Sequence, residues 1–140
     1  MFLLDTNVVS ELRKAKAGKA DLNVVAWAEG VQASSLFLSA ISILELETGI
    51  LLLERRDAAQ GAVLRTWLDG YVLPAFSGRI LAVDTVVAQC CARLHVPDPC
   101  AERDGLIAAT ALVHGMTVVT RNLADFASTR VPALNPWVRG

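Results

Sequence analysis

The sequence predicts an α/β domain built on a mostly parallel sheet. Short continuous apolar runs alternate with longer amphipathic ones along the chain, as when buried strands are joined by crossover helices. Helix-capping and stop residues fall at the boundaries of these runs, among them Ser39, Asp84 and Gly115. The 140 residues are 54% hydrophobic and 19% charged, enough for one domain with a sizeable core and too apolar for a disordered chain. No repeat, low-complexity tract or linker interrupts residues 1–140, so a single domain is expected.

Residues 1–4 form a continuous apolar run that reads as a buried central strand ending at Asp5. Thr6 can cap a short helix over 8–12. The basic stretch 14–19 reads as an exposed loop, and Asn23 can cap a helix reaching residue 31. A second strand is expected over 35–38. Ser39 then caps a long helix to about residue 55, and a further helix over 57–71 is ended by Pro74. The third strand is expected over 79–83, and Asp84 caps a helix to residue 94. After a proline-containing loop, Asp98 and Pro99 suit the cap and first position of a helix running to His114, with Gly115 as its stop. Residues 116–120 form the fourth strand, 121–126 a loop or helical turn, and 131–134 an edge strand bounded by Pro132 and Pro136.

Composition narrows the function. Thirteen basic against fourteen acidic residues give a net charge of −1, so any attraction for nucleic acid must come from a local basic patch or bound cations. No apolar run approaches the roughly 20 residues that span a bilayer. The opening MFLLDTN lacks a basic segment, so no secretory signal is read and a cytoplasmic protein is expected. Cys90, Cys91 and Cys100 are a poor disulfide framework and read as small core residues. The cysteine and histidine spacings do not suit zinc.

The acids are more informative. Asp5 and the segment 120–122 follow two apolar strands, and ligands of open parallel sheets bind at the carboxyl ends of strands. Glu45 and Glu47 both lie within the long helix, and periodicity does not choose between them. Asp104 sits beside Ile107 and Ala108, past the cap position of an apolar helix. Carboxylates in such surroundings need a partner or a metal, and hard oxygen donors suit Mg²⁺ or Mn²⁺. The residues alone lead as far as a plausible acidic crevice.

Four segments then carry a resemblance. LLDTNVVSEL (3–12), SAISILELETG (39–49), RDGLIAATALVHGMTVVTRNLADF (103–126) and the tail LNPW (134–137) resemble, in order and spacing, the motifs of PIN-domain ribonucleases, most closely the VapC toxins and their FitB-like branch. The resemblance implies a three-layer α/β/α domain with about five mostly parallel strands. It implies metal-assisted RNA cleavage, with Asp5, Glu45 (chosen over Glu47 by the acid-to-glycine spacing) and Asp104 as ligands of Mg²⁺ or Mn²⁺. Thr6 and Thr120 match polar residues beside the metal. Asn122 stands where this branch has a fourth acid; an amide can still hold a water but adds no charge, and Asp125 three residues on is a possible substitute. The resemblance also implies a homodimer, silenced by a cognate antitoxin with a DNA-binding region.

Arg103 and Arg121 flank proposed site residues and are candidates for binding phosphate, ahead of Arg13, Lys14, Lys16 and Lys19, which read first as a solvated face. Trp27, Trp67 and Trp137 read as core or interface anchors. Two rival classes stand beside the nuclease. The first is a degenerate PIN-fold module that binds RNA or a partner protein without cleaving, kept open by Asn122. The second is a phosphatase or phospho-acceptor receiver, disfavoured by Asn7 and Arg121 at positions where those chemistries want Asp and Lys.

Overall fold

A computed structural model of the protein describes residues 1–138. Five strands, β1 (Phe2–Leu4), β2 (Leu36–Ser39), β3 (Ile80–Leu81), β4 (Thr117–Val119) and β5 (Ala133–Leu134), form one sheet in the order β3-β2-β1-β4-β5. Every pairing is parallel, with Leu3 of β1 opposite Phe37 on one side and Val118 on the other. The chain winds outward from β1 through β2 to β3, then returns to lay β4 on the other flank of β1. That reversal opens a crevice beyond the carboxyl ends of β1 and β4.

Among the described residues, eight helices cover the sheet: α1 (Thr6–Arg13), α2 (Leu22–Glu29), α3 (Ala40–Arg56), α4 (Ala58–Trp67), α5 (Leu73–Ala75), α6 (Thr85–Leu94), α7 (Glu102–His114) and α8 (Leu123–Phe126). Successive strand residues point to opposite faces. Leu4, Leu36, Leu38 and Val119 therefore join one core with Val8 of α1 and Leu46 and Ile50 of α3. Leu3 and Val118 join a second core with Ile107 and Ala108 of α7 and Phe126 of α8. Two cores, one on each face, make the expected three layers.

Ser39, Asp57 and Asp84 cap α3, α4 and α6, and Gly115 ends α7 at φ 66°. Other boundaries differ from those read in the sequence. Asp5, not Thr6, caps α1, so the residue that ends the central strand also starts the helix. Asp21 rather than Asn23 caps α2, accepting the N–H groups of Asn23 and Val24 at 2.9 and 3.1 Å. Helix α7 starts at Glu102, not after Asp98, because the His95 ring takes the Cys100 N–H at 3.2 Å and holds the chain in a loop until then. The helical path does not stop at Pro74. It widens into a π turn over Leu68–Val72, in which the Leu73 N–H reaches back to the Leu68 carbonyl, and this accommodates the proline ring inside the turn that follows. Strand β3 keeps only two of the five residues expected for it.

Candidate active site

Strands β1 and β4 deliver their following residues, Asp5 and Thr120, side by side. The Asp5 N–H donates to the Val119 carbonyl at 2.8 Å, and Asp5 is 7% exposed. Its Oδ1 accepts the Thr6 N–H at 2.8 Å, and its Oδ2 accepts the Thr120 hydroxyl at 2.8 Å and the Asn7 amide at 3.3 Å. Burial pushes the Asp5 carboxyl above its ordinary range and the nearby charges of Glu45 and Asp125 push the same way, while the bonds from Thr120 and Thr6 oppose them. Thr120 is fully buried behind Asp5 and also accepts the Asn122 N–H at 3.0 Å. It therefore reaches the crevice only through its neighbours.

Helix α3 leaves the end of β2 and brings Glu45 to the same place. The Thr6 hydroxyl donates to Glu45 Oε1 at 2.7 Å and lies 3.1 Å from the buried Ser42 hydroxyl, whose proton completes that second bond. Glu47 turns away to α4, where Arg65 donates to it at 2.9 Å. Asp104, in the first turn of α7, is pushed up to about 6, first by burial and then by the charges of Asp5, Asp125 and Glu45. Asn122 and Asp125 complete the floor of an open cleft of about 470 Å³, which is also lined by Thr6, Asn7, Lys14, Arg121 and Trp137.

The expected acids thus line one cleft, yet they do not close on one point. Among the described residues, no group of three or more His, Cys, Asp or Glu side chains is so placed that it could hold an ion as it stands. Like-charged carboxylates repel, and Glu45 is drawn toward Thr6 and toward Arg103, whose Nη1 is 3.8 Å from Glu45 Oε2. The donor chemistry nevertheless fits Mg²⁺ or Mn²⁺. The lining acids offer only oxygen, and the upward shift of Asp104 is the strain that a cation relieves.

Two groups that were not read as site residues belong to this cleft. Asn7 donates to Asp5 and accepts the Arg121 N–H at 3.3 Å. The Arg121 carbonyl accepts from Asn135 at 3.3 Å, and its guanidinium lies 5.3 Å from the centroid of the Trp137 ring. Trp137 is tied in turn through Asn135 at 2.9 Å and Asn23 at 2.8 Å. The tail read as an anchor is thus a shelf at the cleft edge. Its sequence signals were the LNPW segment of the family resemblance and the edge strand expected before it, which the structure lays beside β4. Of the early basic residues, Lys14 lines the cleft but pairs with Glu11 at 3.0 Å, while Arg13 and Lys16 lie over Trp67 and Tyr71.

The sequence matches the PIN domain family over residues 2–131. The chain belongs to the PIN-domain family. A VapC ribonuclease of Sinorhizobium fredii is 36% identical to it over 98% of each chain. Toxin FitB of Neisseria gonorrhoeae is 38% identical over 98% of this chain and 99% of its own. The structure of a FitAB complex bound to a DNA fragment matches with a TM-score of 0.89 at 36% identity, covering 100% of this chain and 98% of that one. In this PIN domain the cleft is lined by five acids, Asp5, Glu11, Glu45, Asp104 and Asp125, with Asn122 among them and Glu11 paired to Lys14.

Proposed function

We propose that this PIN domain is an Mg²⁺- or Mn²⁺-dependent endoribonuclease, the toxin of a type II toxin–antitoxin pair acting in the cytoplasm. The observation that carries the reading is the convergence of Asp5, Glu45 and Asp104, from three separate elements, on one cleft lined by Arg121, with Arg103 3.8 Å from Glu45. The relatives' names, a VapC ribonuclease and a FitB toxin, support the substrate class and the toxin role. The DNA-bound FitAB complex supports a partner antitoxin with a DNA-binding region. A homodimer is part of the same reading.

Asp5, Glu45 and Asp104 would hold the ion. When bound, it supplies the positive charge against which water can attack a phosphodiester in line. The chain's own groups prepare that site. Thr120 and the Thr6 N–H fix both oxygens of Asp5, and the Thr6 hydroxyl fixes Glu45. Asn122 offers an amide beside them, able to orient water or a phosphate oxygen without adding charge. Arg121, with its backbone held on both sides and its side chain over Trp137, presents guanidinium N–H groups to RNA phosphates from a fixed base.

The test is growth after induced expression of the chain alone, beside Asp5→Asn and Asp104→Asn, with total RNA examined for fragments. Arrest and discrete cuts are expected from the natural sequence and neither from the variants. Identical behaviour of all three would favour a second reading, a PIN module that binds RNA or a partner without cleaving. Asn122 is the residue that motivates it.

A further inference from the structure

Away from the acidic cleft, two thiols and an imidazole surround one backbone position. A Cβ on Gly105 of α7 would stand 3.0 Å from Cys100 Sγ, 3.3 Å from Cys91 Sγ and 3.4 Å from His95 Nε2. The missing side chain of Gly105 leaves the small space that these three groups border together. His95 Nδ1 accepts the Cys100 N–H at 3.2 Å and lies 3.8 Å from Cys100 Sγ, so the ring shapes the loop and stands beside the thiol. Cys91 is buried on α6 at 5% exposure, whereas Cys100 is half-buried before α7. Cys90, next along α6, packs against the small core of Val87 and Ala109. Among the described residues no three such side chains are placed to hold a metal ion as they stand.

We propose that Cys91 and Cys100 are a redox-active pair that forms a reversible disulfide by exchange with a low-molecular-weight disulfide. The accessible Cys100 reacts first. Its thiolate attacks one sulfur of the reagent, forms a mixed disulfide and releases one small thiolate. The Cys91 thiolate then attacks the Cys100 sulfur and expels the second. The protein pair loses two electrons, the reagent gains them, and the two thiol protons pass to the two released thiolates. The bond tethers the loop at residues 95–99 between α6 and the start of α7, the turn that carries Arg103 and Asp104. In a reducing compartment such a pair is a transient, regulatory disulfide and not a structural one.

The experiment treats the folded full chain with glutathione disulfide, blocks remaining thiols with iodoacetamide and maps the products by mass spectrometry, with no reliance on RNA cleavage. The natural sequence should lose two hydrogens, retain no glutathione, yield a Cys91–Cys100 linked peptide and leave Cys90 alkylated. Cys91→Ser should retain one glutathione on Cys100, Cys100→Ser should stay unmodified, and Cys90→Ser should behave as the natural sequence. A linkage through Cys90, a glutathione adduct retained by the natural sequence, or crosslinking only after denaturation would overturn the proposal. Mapping of the natural sequence alone decides it if either cysteine variant fails to fold.

Discussion

Asp5 is held by three donors because a buried carboxylate is unfavourable unless its lone pairs are used. Thr120 gives one of the two short side-chain and backbone bonds, and that bond opposes the upward push of burial. Thr120→Val should therefore raise the pKa of Asp5 further. The acid limb of the pH–rate profile for RNA cleavage should move to higher pH, with the circular dichroism spectrum unchanged; an unmoved limb would mean that Thr120 only fills space. Asp104 has the opposite accessibility, partly open, and carries the repulsion of the other acids. Its folded pKa of about 6 lies above the ordinary value of 3.8. A raised carboxyl contributes stability below the unfolded value, and that contribution is lost as pH rises through the folded one. Without divalent metal, Asp104→Asn should thus melt higher than the natural sequence above about pH 6. The two should converge toward pH 4 as the carboxyl of the natural sequence protonates. Adding Mn²⁺ should narrow the gap at neutral pH by raising only the natural sequence's melting temperature. A gap independent of pH would show that charge is not its source.

Helices α3 and α4 meet where Gly61 faces Glu54. A Cβ on Gly61 would stand 2.7 Å from the Glu54 Cα and 2.6 Å from its Cγ, a clash with backbone that only a shift of α4 could relieve. Gly61→Ala should cost about 1–3 kcal/mol in urea denaturation, as overpacking does elsewhere, despite the better helix propensity of alanine. A neutral result would mean that α4 moves freely on α3. This contact also bears on what was legible beforehand. Strands β1, β2 and β4 were legible because buried parallel strands are continuous apolar runs, and Ser39, Asp84 and Gly115 announced helix ends by local chemistry. Asp5 and Thr120 could be set at strand ends for the same reason. The choice between Glu45 and Glu47 was not legible from periodicity, since both have apolar neighbours; it is decided by Arg65 arriving from α4 and Thr6 from α1. The late start of α7, the π turn before Pro74 and the Trp137 shelf depend on contacts between residues distant in sequence or on loop hydrogen bonds, which leave no period to read.

Across the whole molecule, a net charge of −1 conceals a division of labour. Acids line the cleft together with Arg121, and Arg103 lies 3.8 Å from Glu45, so on the nuclease reading phosphate attraction would be local and would need no basic protein. The outer face of α3 is divided in a different sense. Ile41, Leu46 and Ile50 are buried, while Leu44, Leu51 and Leu52 on the other side are 47%, 54% and 61% exposed. Leu44 and Leu51, about two turns apart, with Leu52 next to them, form an exposed apolar patch that costs solubility unless something covers it, and a second copy of the chain is the occupant the homodimer reading supplies. If so, replacing Leu51 and Leu52 together with Glu should leave the melting curve nearly unchanged at low concentration, because both side chains already face outward and Glu is about as good a helix former as Leu. Sedimentation should instead change from a dimer for the natural sequence to a monomer for the variant, with the dissociation constant raised at least about tenfold by the like charges brought into the contact. A dimer that survives the double substitution would put its interface elsewhere. A natural sequence already monomeric would leave α3 free for a different partner, and the antitoxin would then be the one to test against the same variant.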